Sequence, residues 1–437
     1  MNAIDIVTKY PDCQLNEDLV RNYIRRSKMV QEGDTRDPDR CYIEVRFDIE
    51  LNDQQKTHVL NIPYEYIEKV TNRPAKYILH VMYCITTCTG KLVRVGSEDD
   101  EACSDDALRE ACVRETRMLP AAVVRFVPDG PEIRLVDPAG CNDRVSNTTL
   151  PSTLPAYKNI VDARDRQRCV ISGETQVLGV AKCLDRAHII PSSKHSSYIS
   201  DVTASRIPGN KQGNADPMYQ PVSDIHDPRN VITLSKDIHG LCAEYNWGFA
   251  LLRVPNEHLS IEDLKWNQVD CAPGTQHPAG DFVYMFHAFD KVFFPSKHRT
   301  FTRLNISDNH LVRPAASLQY WPTHALIDFW FGNVALLYWM DEDALVELVF
   351  AEHETWYGDV TGALEDEDED EKGEEEEGGG PHRGYKEGDG DEGEADTASG
   401  GNIDVGRVVA WFYKSATHHR NHAASIARAA TWLETTQ

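Results

Sequence analysis

The sequence predicts an α+β protein built around a central strand–loop–strand–helix unit. Three observations lead there. Cys41 to Leu51, CYIEVRFDIEL, alternates apolar and polar residues with the period of two expected of a half-buried strand. Ala325 to Met340, ALIDFWFGNVALLYWM, is apolar nearly all round, as a helix surrounded by protein must be. Between them, residues 161–260 set histidine, asparagine and charged residues between short apolar runs bounded by Gly and Pro.

In chain order, residues 1–155 read as an α+β accessory region. Tyr77 to Cys88, YILHVMYCITTC, is either a buried strand or a short core helix. Ser104 to Met118 opens with a capping serine and two acids, the start of a helix. Residues 161–260 form the central domain, and 261–360 a helical extension. Residues 361–401 are a linker of Glu, Asp and Gly, too poor in apolar residues to order itself. Residues 402–437 resume helical spacing, with His418 and His422 four apart on one face.

The 437 residues are 41% hydrophobic, enough for several domains with buried cores. Eleven cysteines, an odd number with no CxxC pair, exclude a disulfide framework and a four-cysteine zinc knuckle. The first residues, MNAIDIVTKYPD, have neither a basic nor an apolar leader segment. The richest apolar run is too short for a membrane span and contains Asp328. The expected setting is intracellular, nuclear or cytoplasmic, with no secretion and no membrane partner.

The net charge of −25 argues against a nucleic-acid partner until its distribution is read. Glu365 to Asp396 holds 17 acidic residues against 3 basic ones. Residues 161–260 hold 11 of each and are neutral. The acidic stretch serves as a solvating linker or, in a sharper reading, as a mimic of nucleic acid that inhibits a basic groove.

The central segment has its chemistry at its joints. RCVISGE, Arg168 to Glu174, reads as a short strand with a Gly turn, and LDRAHIIP, Leu184 to Pro191, as a strand that ends at proline. Ser192 to Pro228 reads as a loop of more than thirty residues, a length usual for function. After Asp227-Pro228, Asn230 opens the strand Val231 to Leu234. Ser235 then caps a helix that carries His239 in its first turn, and Phe249 to Val254 reads as a further strand. Alone, His188 reads as a core histidine. Asn230 and His239, 42 and 51 residues downstream, give it a catalytic reading.

RCVISG, AHIIP, DPRN before a strand and DIH on a helix, in that order, resemble the HNH endonucleases of the ββα-metal fold. The AHI form is similar to a largely fungal branch, and Pro322 to Trp339 looks like a recurring element of that branch. The nine-residue interval from Asn230 to His239 has the spacing of the family's second and third motifs. The resemblance covers roughly 100 residues. It implies a metal-dependent endonuclease acting on DNA, or else RNA.

In that scheme His188 is the general base, Asn230 orients it, and His239 ligates one divalent metal, with Mg²⁺ expected and Mn²⁺, Ni²⁺ or Zn²⁺ tolerated. The residue before the base, where a ligand often stands, is Ala187. Asp185 shares its strand parity and is the substitute ligand. Arg186, Arg229 and Lys236 flank the motifs as phosphate contacts, while His226 and His195, the rival candidates for the base, read as loop residues that contact substrate or nothing. The alternative function is a catalytically degenerate module of this fold that binds nucleic acid or a protein.

Overall fold

A computed structural model describes residues 41–51, 54–96, 102–114, 122–130, 133–138, 140–141, 155–175, 184–192, 194, 196–211, 213–245, 248–265, 282–289, 306, 311–312 and 318–351. All of these fall within one compact unit, Glu17–Trp356. The acidic linker, the C-terminal helix with His418 and His422, and His195 lie outside the described residues.

β1 (Tyr42–Leu51) and β2 (Gln54–Pro63) form an antiparallel pair in which Tyr42 faces Pro63 and Leu51 faces Gln54. Ile43, Val45, Phe47 and Ile49 turn inward, so the alternation read from the sequence is a buried face. α1 (Tyr64–Val70) and α2 (Pro74–Thr86) follow. α2 settles the ambiguity of the Tyr77–Cys88 stretch. Proline in its first turn favours a helix start, and Thr87 ends it in a left-handed conformation at φ 58°.

β3 (Gly90–Arg94), α3 (Asp105–Arg114) and β4 (Ala122–Pro128) complete this part. The Ser104 hydroxyl caps α3, accepting from the Ala107 N–H at 3.2 Å. β4 lies parallel to β1 and antiparallel to β3, giving the sheet order β2-β1-β4-β3.

The central segment contains α4 (Pro155–Asp165), β5 (Leu184–His188), α5 (Ser196–Ser205), β6 (Val231–Ser235), α6 (Lys236–Tyr245) and β7 (Phe249–Val254). β8 (Val283–Ala288) and β9 (Leu311–Val312) join β7 in a three-stranded antiparallel sheet. α7 (His324–Trp339) and α8 (Glu342–Ala351) close the described chain.

Three features differ from the expectation. RCVISGE is a tight turn rather than a strand, bridged only between Arg168 and Thr175, with Gly173 at φ 73° supplying the left-handed residue. The stretch read as one long loop contains α5 and two short 3₁₀ turns, Gly209–Lys211 and Pro217–Tyr219. Its polar sequence hid the helix because specific bonds hold it: Thr203 Oγ1 donates to the Ile199 carbonyl at 2.7 Å and accepts from the Val222 N–H at 2.9 Å. The segment 261–360 is not purely helical, since β8 and β9 precede α7. β8 is buried at every position and so shows no alternation.

α7 is the centre of the fold. Every one of its residues is buried, and it packs against α2, α5, β2 and β7. The Thr323 hydroxyl caps it, accepting from the Leu326 N–H at 3.3 Å. Two of its polar residues find inward partners. Asp328 pairs with Arg253 at 2.9 Å, and Asn333 donates to the Asp137 carbonyl. Gly332 permits the α2 contact, because a Cβ there would lie 2.1 Å from the Cys84 carbonyl oxygen.

Two predictions follow from this core. Gly332→Ala should force the α2–α7 contact apart and lower stability by about 1–3 kcal/mol. An unchanged denaturation midpoint would show that the helices do not approach as described. The second concerns the buried histidines. Burial pushes His287 down to about 3 and His324 down to about 2. The folded chain therefore binds fewer protons than the unfolded one below pH 6.5. The stability contribution is complete above that pH and declines as pH falls toward 3, by about 2 kcal/mol at pH 5 for a fully buried histidine. Melting curves at pH 7 and pH 5 should separate accordingly, and coincident curves would contradict a neutral buried His287.

Candidate functional site

The site is built on the β5–β6 hairpin, which pairs Asp185 with Leu234 and His188 with Val231. Alternation along β5 sends its side chains to two helices. Arg186 forms a forked ion pair with Asp162 of α4, and the His188 ring lies 6.0 Å from the ring of Tyr157, also on α4. Asp185, of the opposite parity, meets His239 on α6. Ala187 shares the parity of Asp185 but is buried and has no ligand atom.

Asn230 is fully buried, and all of its side-chain hydrogen-bonding groups have work. Its Oδ1 accepts from the Ile190 N–H at 2.9 Å. Its Nδ2 donates to the Ile190 carbonyl at 2.8 Å and to the Ile225 carbonyl at 2.9 Å. Its own carbonyl accepts from the Ile189 N–H at 2.8 Å. One amide thus fastens the chain just after His188 to the chain just before His226. The Asp227 carboxylate sets up this turn by accepting from the Arg229 N–H at 2.8 Å.

A second buried device holds the same turn. Arg164, near the end of α4, donates to both oxygens of Asp165 and to the carbonyls of Pro228, Val231 and Tyr320. Asp165 in turn accepts from the Thr233 N–H at 3.1 Å. A buried ion pair earns its place only when its remaining groups are satisfied, as these are. α4 is thereby fixed to β6.

His188 sits at the end of β5, half-buried, with Nε2 inaccessible to water and without a hydrogen-bond partner. Burial pushes its pKa down to about 4, aided by the neighbouring His226 and His239. The ring is therefore neutral at physiological pH, and Nδ1 rather than the closed-off Nε2 is the nitrogen left to accept a proton. His226 comes edge-to-face with it, 5.6 Å between ring centroids, and Tyr157 lies against His226 at 6.0 Å and an interplanar angle of 23°.

His239 Nδ1 lies 3.1 Å from Asp185 Oδ2. This hydrogen bond, against the opposing effect of burial, holds the Asp185 carboxyl below its ordinary pKa. The two residues supply one imidazole nitrogen and one ionised oxygen at a separation that fits neighbouring ligands of a single divalent ion. Lys236 is exposed at the start of α6. Arg186 and Arg229 are both engaged within the protein, the latter with Asp227 at 2.7 Å.

Another group of ligand-type side chains, His80, Cys84 and Asp328, converges within 4.8 Å on α2 and α7. The Arg253 guanidinium pairs with Asp328, and Arg206 donates to the Cys84 carbonyl. Two buried guanidiniums beside one carboxylate oppose a further dication, so this group reads as a polar core contact.

Sequence reasoning singled out His188, Asn230, His239 and Asp185 but missed Tyr157, Arg164 and Asp165, and it weighed His226 as a rival base before placing it among loop residues that contact substrate or nothing. Only the adjacency of Arg164 and Asp165 at a helix end hinted at their role. Asn230→Ala should leave buried backbone groups of Ile190 and Ile225 unpaired, a loss of about 2–4 kcal/mol. A variant as stable as the parent in urea unfolding would contradict this hydrogen-bond pattern.

No curated protein and no solved structure matches this chain. A family model described as HNH endonuclease matches residues 169–250, from the Cys169 turn through β5, β6 and α6 into β7. That span holds His188, Asn230, His239 and Asp185 in one hairpin-and-helix unit, and it is a domain of the HNH endonuclease family.

Proposed function

We propose that the HNH domain is a metal-dependent endonuclease centre that hydrolyses phosphodiester bonds, with DNA favoured over RNA as substrate. The observation that carries this is a neutral, unpartnered His188 imidazole at the end of the hairpin, backed by an Asp185–His239 pair. Family membership points to nuclease-type chemistry and to nucleic acid as the partner class.

In this reading His188 accepts a proton at Nδ1, the ring nitrogen that is not closed off, as the water oxygen attacks phosphorus, and the bond from phosphorus to the leaving oxygen breaks. Asn230 acts as a positioning residue, since it fixes the backbone two residues beyond His188. Asp185 and His239 hold one divalent ion, most naturally Mg²⁺, with Mn²⁺, Ni²⁺ or Zn²⁺ as substitutes. When bound, the ion supplies Lewis-acid polarisation of the phosphate and steadies the leaving oxygen. Lys236 is the exposed cation placed to meet the backbone. Arg186 and Arg229 contribute only if DNA draws them from their carboxylates.

The second reading, a module that binds nucleic acid without cutting it, draws on Ala187, which offers no ligand atom, and on the internally paired arginines. Calorimetry with Mn²⁺ separates the two readings. The nuclease reading expects binding that His239→Ala abolishes, and the binding-module reading expects no such dependence.

With Mg²⁺ or Mn²⁺ present, the full chain should nick supercoiled plasmid, and His188→Ala should slow the reaction by about 10²–10⁴-fold. Equal rates would remove His188 from the role of base. The acidic limb of kcat/KM should lie well below pH 6.5, towards the His188 value of about 4. A limb centred at 6.5 would mean that the base is a solvated histidine.

A further inference from the structure

The structure assigns His226 as a second functional imidazole, a donor to a non-bridging oxygen of the scissile phosphate beside the water held by His188. This rests on the nuclease reading above and adds a substrate contact to the same site.

The first argument is position. His226 lies 38 residues from His188 in the chain, yet the two rings stand 5.6 Å apart, centroid to centroid. The second argument is rigidity. The Asp224 side chain accepts from the His226 N–H at 2.9 Å, and the Asp227 N–H donates to the Asp224 carbonyl at 3.0 Å. The Ile225 N–H donates to Ser196 Oγ at 3.2 Å, and Asn230 grips the Ile225 carbonyl at 2.9 Å. Tyr157 covers one face of the ring. An incidental loop histidine needs none of these restraints.

The third argument is hydrogen-bond balance. Nδ1 of His226 is buried without a partner, as is Nε2 of His188. Those two atoms are closed to a guest, so the opposite nitrogens, Nδ1 of His188 and Nε2 of His226, are the ones left to meet water and phosphate. The fourth is elimination. Arg164, Arg186 and Arg229 are already held by Asp165, Asp162 and Asp227. Lys236 stands exposed at the start of α6, the helix that carries His239. Among the described residues, the rings beside His188 are His226 at 5.6 Å and Tyr157 at 6.0 Å, and His226 is the nitrogen donor of the two.

The experiment is steady-state cleavage of supercoiled plasmid by the full chain with Mn²⁺, comparing the parent, His226→Ala and His226→Gln. The Ala variant should lose on the order of a hundredfold in kcat/KM with an unchanged melting midpoint. The Gln variant, which restores an amide donor, should recover at least tenfold of that loss. If the parent cuts and His226→Ala cuts equally well, the His226 assignment fails while the nuclease reading stands. If Gln is no better than Ala, the ring acts by packing and the donor role is wrong. If the parent itself is inert, the nuclease reading falls and takes this assignment with it.

Discussion

The side chain of Asn230 is the constraint on which the site depends. A primary amide has one acceptor and two donor hydrogens, and here they lock two stretches of chain about 35 residues apart. Because the amide is fully buried, water cannot compete for these bonds, and losing any one of them strands a backbone group. His188 precedes one anchored residue by two positions, and His226 follows the other by one. Both imidazoles thus take their places from the same side chain.

Around that anchor the hairpin is gripped from both sides. α4 meets the face that carries Arg186 and His188, and α6 meets the face that carries Asp185. This gives the two ends of the site different electrostatic characters. Near Tyr157 and His226, burial keeps His188 uncharged. Near α6, a hydrogen bond keeps Asp185 ionised. A neutral His188 and an ionised Asp185 are separated by nothing more than strand parity.

The larger scaffold serves the hairpin indirectly. α7 joins α2 of the N-terminal region, α5 of the insertion between the motifs, and β7 at the end of the HNH domain. The insertion is therefore an ordered element tied into the core: its Arg206 reaches the Cys84 carbonyl on α2. The β7–β8–β9 sheet likewise pairs Phe249–Val254 with Val283–Ala288, on either side of residue 260.

The sequence by itself determined what local patterns encode. β1 was legible from alternation, α7 from an apolar run that no surface helix tolerates, and β6 with α6 from Asp-Pro, Ser235 and the apolar spacing. The order His188, Asn230, His239 was legible as an HNH pattern, and the match over residues 169–250 bears out that family reading. Tertiary structure alone decided that Asp185 reaches His239, that Arg186 and Arg229 are engaged by carboxylates, and that His226 stands beside His188. These are contacts between residues distant in sequence or between side chains on opposite strand faces. They are fixed by packing and by buried hydrogen bonds, and neither leaves a periodic trace in the chain.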